Sequence, residues 1–256
     1  QRNRRRLRAA EAETRGKMIY YSRTHIGLVR KTNEDSCFAT EVDGGFFAIV
    51  ADGMGGHNGG EVASGIVIET AKALLSEKCC LDQDDIRRLL IRANQSVLDR
   101  AERDRELKGM GSTATLVSIC GMHAIIGHVG DSRAYLFRDK KLSQLTKDHS
   151  YVQMLLESGY ITQQEALVHP HRNIITRAIG TEPNLEPDVW TYELQAGDVL
   201  LLCSDGLSSA ISDDKIAEIL RSGIPEAADK LIEASLAAGG PDNISVVIVQ
   251  TGGGNV

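Results

Sequence analysis

Short blocks of apolar residues alternate with polar ones along most of this chain, and the blocks predict β-strands. Segments of five to seven residues, rich in β-branched and aromatic side chains, are bounded by glycine, asparagine or aspartate, which is typical of strands. The predicted strands are 19–24, 37–41, 46–51, 114–119, 124–128, 132–138, 174–178, 188–193, 199–203 and 244–250. This number of strands is too large for a single layer, so two sheets are expected.

Helical periodicity occupies the middle of the chain and the region before the last strand. The segments with apolar residues at helical spacing are 61–75, 84–107, 213–221 and 225–238. Ser212 suits an N-cap and Pro225 a first turn. Sheets combined with helix pairs predict an α/β fold, a four-layer sandwich in which two packed, mostly antiparallel β-sheets are flanked by helices on both faces.

Two regions depart from this pattern. The sequence pattern at 147–173 is that of short helices, and it predicts a flap inserted into a single domain that spans 18–256. Residues 1–17 carry seven basic and two acidic side chains, so that with a total net charge of −6 the remainder carries −11. This basic run lacks aromatic residues and an apolar stripe, which favours a solvated tail, a linker or an added extension over a nucleic-acid-binding element.

No apolar run approaches the roughly 18 residues of a membrane helix.

The cysteines indicate which cellular compartment and which catalytic chemistry to expect. They are odd in number, include no CxxC pair and lie mostly in apolar contexts; they are Cys37, Cys79, Cys80, Cys120 and Cys203. We expect small buried side chains in a reducing, cytoplasmic setting. No cysteine is followed six positions later by arginine, so the thiolate loop of cysteine-dependent phosphatases is absent.

Carboxylates recur where predicted strands end. Asp52, Asp131 and Asp205 each follow an apolar strand and precede glycine or serine, and Asp242 leads into the last strand. Any one of them would serve equally well as a cap of a turn or helix. Four together would repel one another unless cations lay between them, and all-oxygen ligands suit magnesium or manganese rather than zinc.

Two further side chains complement the carboxylates. Arg30, between the first two predicted strands, could hold a phosphate dianion through two parallel hydrogen bonds, although a lone arginine is more often a surface charge. His57 lies in the glycine-rich segment after Asp52. Its unperturbed pKa of about 6.5 suits an acid near neutral pH, although a lone histidine is more often a surface side chain.

An ordered series of motifs carries a family resemblance. The motifs are RKTNEDS at 30–36, VADGMGGHNGGEVAS at 50–64, GSTAT at 111–115, HVGDSRAY at 128–135, LTKDHS at 145–150, NIITRAIG at 173–180, VLLLCSDGL at 199–207 and GGPDNISVVIV at 239–249. In this order the chain resembles the metal-dependent protein phosphatases, the type 2C serine/threonine phosphatases, in their compact bacterial form. The resemblance extends over nearly all of the chain between 18 and 251.

The resemblance implies a set of metal ligands. Asp52 would bridge two catalytic Mn²⁺ or Mg²⁺ ions, and the carbonyl of Gly53 would complete the second. Asp205 and Asp242 would hold the first ion, and Asp131 with Asp205 would hold a third, weaker one.

The resemblance also implies the remaining roles. Glu34 would reach a metal through water, Arg30 would bind the substrate phosphate, and His57 would protonate the leaving oxygen. A metal-bridging hydroxide would attack phosphorus directly, without a phosphoenzyme.

The expected function is hydrolysis of phosphoserine and phosphothreonine in cytoplasmic proteins by a monomer that opposes a serine/threonine kinase. Two alternatives remain open: a phosphatase dedicated to one small phosphorylated regulator, and a metal-binding pseudoenzyme that acts as a scaffold. The residues Asp52, Asp205 and Asp242 argue against the scaffold. A role in nucleic-acid binding would rest on residues 1–17 alone.

Overall fold

Two antiparallel sheets form the centre of the molecule. The structure, a computed structural model, describes residues 18–55, 59–78 and 80–252. The first sheet has the order β1 (Ile19–His25), β11 (Ile244–Gln250), β10 (Val199–Cys203), β7 (Arg133–Arg138) and β8 (Lys141–Gln144). The second has the order β2 (Asp35–Val42), β3 (Gly45–Met54), β5 (Ala114–Cys120), β6 (His123–Val129) and β9 (Asp188–Glu193), with the short β4 (Gly111–Ser112) paired to the end of β3.

Helices cover the outer face of each sheet. The second sheet packs against α1 (Gly59–Glu77) and α2 (Gln83–Arg103), and the first packs against α6 (Asp213–Arg221) and α7 (Ile224–Ala237). Three short helices complete the described residues: α3 (Tyr151–Glu157), α4 (Gln163–Leu167) and α5 (Asp205–Ser208). The predicted four-layer sandwich is confirmed.

The helix termini follow the predicted signals. The Ser212 hydroxyl accepts the backbone N–H of Lys215 and caps α6, and Pro225 lies in the first turn of α7. Helix α2 ends earlier than predicted, because Asp104 adopts an extended backbone and a separate 3₁₀ turn, Arg105–Leu107, follows it.

Strand β3 explains why a run of apolar residues can be buried on both faces. Alternate side chains of a strand point to opposite faces of its sheet. Phe46, Ala48 and Val50 pack between the two sheets, whereas Phe47 and Ile49 pack under α1 and α2, and all are fully buried. The strand therefore belongs to two apolar layers at once and is held rigidly up to its end.

One predicted strand is wrong. Residues 174–178 form no strand; within the segment Ile175 makes an isolated bridge to Ser150, and just beyond it Ile179 makes another to Ser112. Ile175 and Ala178 line a cavity instead of packing within a sheet. A short run of apolar residues looks the same in the sequence in either setting, so the pattern alone cannot distinguish them. Conversely, β4 and β8 were not predicted, because they are short and β8 is largely exposed.

The predicted flap region carries two short helices, α3 and α4, neither of which has a buried residue. Backbone hydrogen bonds close its base: Tyr151 donates to Ile174, and Thr176 donates to His149. The flap boundaries and the single domain over 18–256 stay predictions. Residues 1–17 lie outside the described residues.

A disulfide joins two of the five cysteines, which the expected reducing setting does not predict. Cys80, in the loop after α1, forms a disulfide with Cys120 at the end of β5, whereas Cys37 and Cys203 are free. The two partners are 40 residues apart, so only the folded chain brings them together. None of the described helices combines the length and apolar character that a membrane span requires.

The buried His128 in β6 predicts sensitivity to acid. Burial, together with the nearby His149, lowers the pKa of His128 to about 3, whereas the unfolded side chain titrates near about 6.5. Between these values the unfolded chain binds more protons, so the folded state loses stability as the pH falls through this window, by about 2 kcal/mol at pH 5.

The stability difference between the wild type and His128→Gln should therefore shrink by about 2 kcal/mol from pH 7.5 to pH 5. Urea unfolding at both pH values measures it, and His123→Gln, at the exposed end of the same strand, is the control. A difference independent of pH for His128→Gln would contradict the prediction.

Candidate active site

A cavity of about 570 Å³ opens where strands of both sheets end. Every predicted site residue that the structure describes lines it: Arg30, Glu34, Asp52, Gly53, Asp131, Asp205 and Asp242. His57 lies outside the described residues. Residues that the sequence had spread over more than 200 positions therefore meet at one place.

The end of β3 is fixed by the GSTAT segment. The Asp52 N–H donates to the Thr113 hydroxyl (2.9 Å), and the Asp52 carbonyl accepts from the Thr113 N–H (2.8 Å) and from the Ser112 hydroxyl (3.1 Å). Gly53 lies against the backbone of Gly60, where a Cβ would overlap the carbonyl oxygen. Both features hold the Asp52 carboxylate in one direction.

The first sheet supplies two more carboxylates. Asp205 opens α5 directly after β10, and Asp242 precedes β11. Gly206 lets these segments approach, because a Cβ there would overlap the carbonyl oxygen of Asn243. Asp131 follows β6 of the second sheet, and its Oδ1 is buried without a hydrogen-bond partner.

The carboxylates raise one another's pKa. Burial, then the other aspartates, raises the pKa of Asp52 well above its ordinary value, and burial followed by Asp205 raises that of Asp131 to about 8. Asp205 is shifted in the same direction, first by burial and then by Asp242. Negative charge is costly here because water is partly excluded and the neighbours have the same sign.

A fifth aspartate, Asp35, was missed as a site residue. It stands directly opposite Asp52 in the β2–β3 ladder, accepts a hydrogen bond from Ser204 (2.7 Å) and leaves its Oδ1 buried without a partner. Burial, followed by the charges of Asp205 and Asp242, raises its pKa to about 7. The sequence signal was the adjacent pair of acids in RKTNED, of which only Glu34 was considered.

The positive charge in contact with these groups comes from Arg30. Its Nη2 donates to Asp242 Oδ2 at 2.6 Å, and both side chains are partly exposed, 48% and 31%. Arg30 therefore lies at the edge of the carboxylate cluster and adjoins the cavity.

The donor set fits a hard divalent cation. All the groups are oxygens, which hard cations prefer. Asp131 Oδ1 is buried without a hydrogen-bond partner, and Gly53 lines the same cavity. Among the described residues, no three acidic, histidine or cysteine side chains converge closely enough to hold an ion as they stand. A bound cation would draw the carboxylate side chains together by rotation, while the strand ends that carry them stay in place.

The segment wrongly predicted as a strand also contributes to the wall of the cavity. Ile175, Thr176 and Arg177 line it. His149 joins this wall to Asp131: its backbone N–H donates to the Gly130 carbonyl (2.7 Å), and its Nδ1 accepts the Gly130 N–H (3.0 Å). The base of the predicted flap is thus connected to a predicted metal ligand.

Comparison with known proteins identifies the family. The family model described as Protein phosphatase 2C matches residues 25–238. The chain belongs to the protein phosphatase 2C family. The resemblance inferred from the motifs is thereby confirmed.

Protein phosphatase 2C relatives of known structure share this fold. The chain is 43% identical to serine/threonine protein phosphatase PstP of Mycobacterium tuberculosis over 235 residues, which are 90% of this chain but only 44% of that protein. It is 38% identical to serine/threonine phosphatase stp of Listeria monocytogenes, over 89% of this chain and 94% of that protein. The crystal structure of the PstP catalytic domain in complex with two manganese ions aligns with a TM-score of 0.83 at 40% identity, over 91% of this chain and 97% of that one.

The raised carboxylate pKa values predict how this protein phosphatase 2C domain responds to pH without metal. A carboxyl group whose pKa is higher in the folded state, as for Asp35 and Asp131, binds more protons when folded, so metal-free protein should gain stability as the pH falls from 8 to 6.5. Saturating Mn²⁺ should raise Tm and remove this dependence, because the cation replaces the protons.

Thermal unfolding of metal-stripped and Mn²⁺-loaded protein across this range is the measurement. The Asp131→Asn variant, metal-free, should be more stable than the wild type at pH 8 and nearly equal to it at low pH. Parallel pH curves with and without Mn²⁺ would refute the interpretation.

Proposed function

We propose that this chain is a metal-dependent protein phosphatase that hydrolyses phosphoserine and phosphothreonine. The observation that supports it most directly is the single cavity at which carboxylates from both sheets meet Arg30. Such a site attracts divalent cations and, through them and the arginine, a phosphate dianion.

Each residue has a proposed role in this reaction. Asp52, Asp205 and Asp242, with the Gly53 carbonyl, would hold two Mn²⁺ or Mg²⁺ ions; Asp131 would contribute to a third, and Glu34 would act through water. When bound, such ions supply Lewis acidity and lower the pKa of water.

The remaining groups act on the substrate. Arg30 orients the phosphate through its guanidinium and takes up negative charge that develops during the reaction. His57 donates a proton to the serine or threonine oxygen as it leaves. Ile175, Thr176 and Arg177, which line the cavity, would contact the peptide that carries the phosphate.

We also propose the cellular setting. The domain would act as a monomer on cytoplasmic phosphoproteins, including a serine/threonine kinase or its substrates, since kinases require the ATP of that compartment. The Cys80–Cys120 disulfide would be reduced to two thiols in that compartment, because disulfides rarely persist where thiols are kept reduced. The relatives named above are called serine/threonine phosphatases, which supports the substrate class.

Phosphate release from a phosphothreonine peptide by metal-stripped protein, with and without added Mn²⁺, tests the function. Activity that returns only with Mn²⁺ or Mg²⁺ and resists thiol blockers is expected.

The Asp205→Ala variant should lose at least about a hundredfold in kcat, because a shared metal ligand is gone, while its circular dichroism spectrum stays unchanged.

The matched control is Asp229→Ala, which removes an exposed aspartate paired with Arg23 far along the surface. It should leave turnover unchanged. Wild-type protein without turnover under any metal would favour the pseudoenzyme scaffold, and near-normal activity of Asp205→Ala would refute the ligand assignment.

Asp131 allows a separate test of the third ion. Asp131→Ala should slow turnover about tenfold or less and shift the Mn²⁺ concentration needed for half-maximal rate upward, since two ions would remain held by other residues. An unchanged Mn²⁺ titration would contradict its role. Asp148→Ala, whose partner is Arg133, serves as the control for loss of a nearby carboxylate.

A further inference from the structure

Asn243, next to Asp242, makes three side-chain hydrogen bonds beside the cavity and has no assigned role. Its Nδ2 donates to the carbonyl oxygens of Ile26 (2.8 Å) and Thr32 (3.0 Å), and its Oδ1 accepts the backbone N–H of Glu34 (2.8 Å). The residue is only 4% exposed. Both donors and the acceptor of this amide are therefore used on one backbone segment, residues 26–34, which we call the arginine loop.

The arginine loop touches the same stretch of chain at two further points. The Leu28 N–H donates to the Gly240 carbonyl at 2.7 Å. Gly27 has a φ of +83°, and a Cβ at this position would overlap the carbonyl oxygen of Asp242. The loop is thus held against residues 240–243 by backbone contacts that depend on small or polar groups.

The middle of the arginine loop has little packing of its own. Leu28 and Val29 are 65% and 68% exposed, and the Arg30 side chain is 48% exposed. An exposed ion pair such as Arg30–Asp242 contributes at most about 1 kcal/mol. The backbone that carries Arg30 is therefore positioned by the Leu28–Gly240 bond and by the anchors at Ile26 and Thr32. Asn243 holds both of those anchors.

We propose that Asn243 is a positioning residue that holds Arg30 where it binds the substrate phosphate. The proposal rests on the proposed function for the role of Arg30, but its contacts are those of the structure alone. Asn243 and the predicted metal ligand Asp242 are consecutive residues. The segment that holds the metal would therefore also fix the position of the phosphate-binding arginine relative to the metal site.

A purely structural role for Asn243 would have a different consequence. Loss of three buried hydrogen bonds lowers stability wherever they occur. Only a residue that acts through Arg30 should lose its influence on phosphate binding when Arg30 is absent. A double-mutant cycle separates the two, because interaction between sites appears as non-additivity.

The experiment uses the full chain loaded with Mn²⁺ and four proteins: wild type, Asn243→Ala, Arg30→Ala and the double variant. Calorimetric titration with inorganic phosphate gives Kd, and hydrolysis of p-nitrophenyl phosphate gives kcat and KM. Asn243→Ala should weaken phosphate binding about tenfold when Arg30 is present and less than twofold when it is absent. The loss should appear in both KM and kcat, because Arg30 is proposed to bind the phosphate and to take up charge that develops during the reaction.

Thr251→Val is the matched control. Thr251 is buried and donates to the backbone of Gln195, away from the cavity, so its loss lowers stability without disturbing the arginine loop. It should change neither Kd nor KM. If Asn243→Ala does not fold, Asn243→Ser, which cannot span the same three backbone groups, replaces it in the cycle.

Each outcome decides the proposal. A tenfold loss in both arginine backgrounds, or no loss in either, overturns it, and so does wild-type protein that binds no phosphate. Coupling in the phosphate titration without any turnover supports the positioning role and refutes the proposed function. Turnover without coupling supports the proposed function and refutes the positioning role.

Discussion

The structure depends on bringing several carboxylates of like charge into one partly buried cavity. Asp52 and Asp131 come from the second sheet, Asp205 and Asp242 from the first, and Asp35 lies behind them in the β2–β3 ladder. Burial and mutual repulsion both raise their pKa values. Such an arrangement is unfavourable unless protons or cations are taken up, so the affinity for cations follows from the crowding itself.

The two-sheet sandwich is what makes this crowding tolerable. Apolar layers lie between the sheets and under each helix pair, and burial of apolar surface at about 25 cal/mol per Å² offsets a local cost of a few kcal/mol. Because β3 is packed on both faces, Asp52 cannot retreat from its neighbours without moving the core. The repulsion between the carboxylates therefore persists because the strand ends that carry them are rigid. Carboxylates on a flexible loop would move apart and relieve it.

The sequence predicted those features that leave a local signature. Strands with apolar runs, capped helices such as α6, and aspartates at strand ends are readable because each depends on neighbours a few residues away. The segment 174–178 has the same alternation but faces the cavity, and the Cys80–Cys120 disulfide joins positions 40 residues apart. Asp35 escaped notice for a similar reason: its importance comes from facing Asp52 across the ladder, a relation that exists only once β2 and β3 pair.

The relative strength of the contacts around Arg30 shows which of them organise the site. Its ion pair with Asp242 joins two partly exposed groups and is worth at most about 1 kcal/mol. The three hydrogen bonds of Asn243 are shielded from water, and each contributes about 0.5–1.5 kcal/mol net. The position of the loop is thus governed by the buried amide, whereas the ion pair can exchange Asp242 for another anion at little cost. An arginine whose backbone is fixed and whose guanidinium is held only by a partly exposed ion pair is suited to bind a transient phosphate.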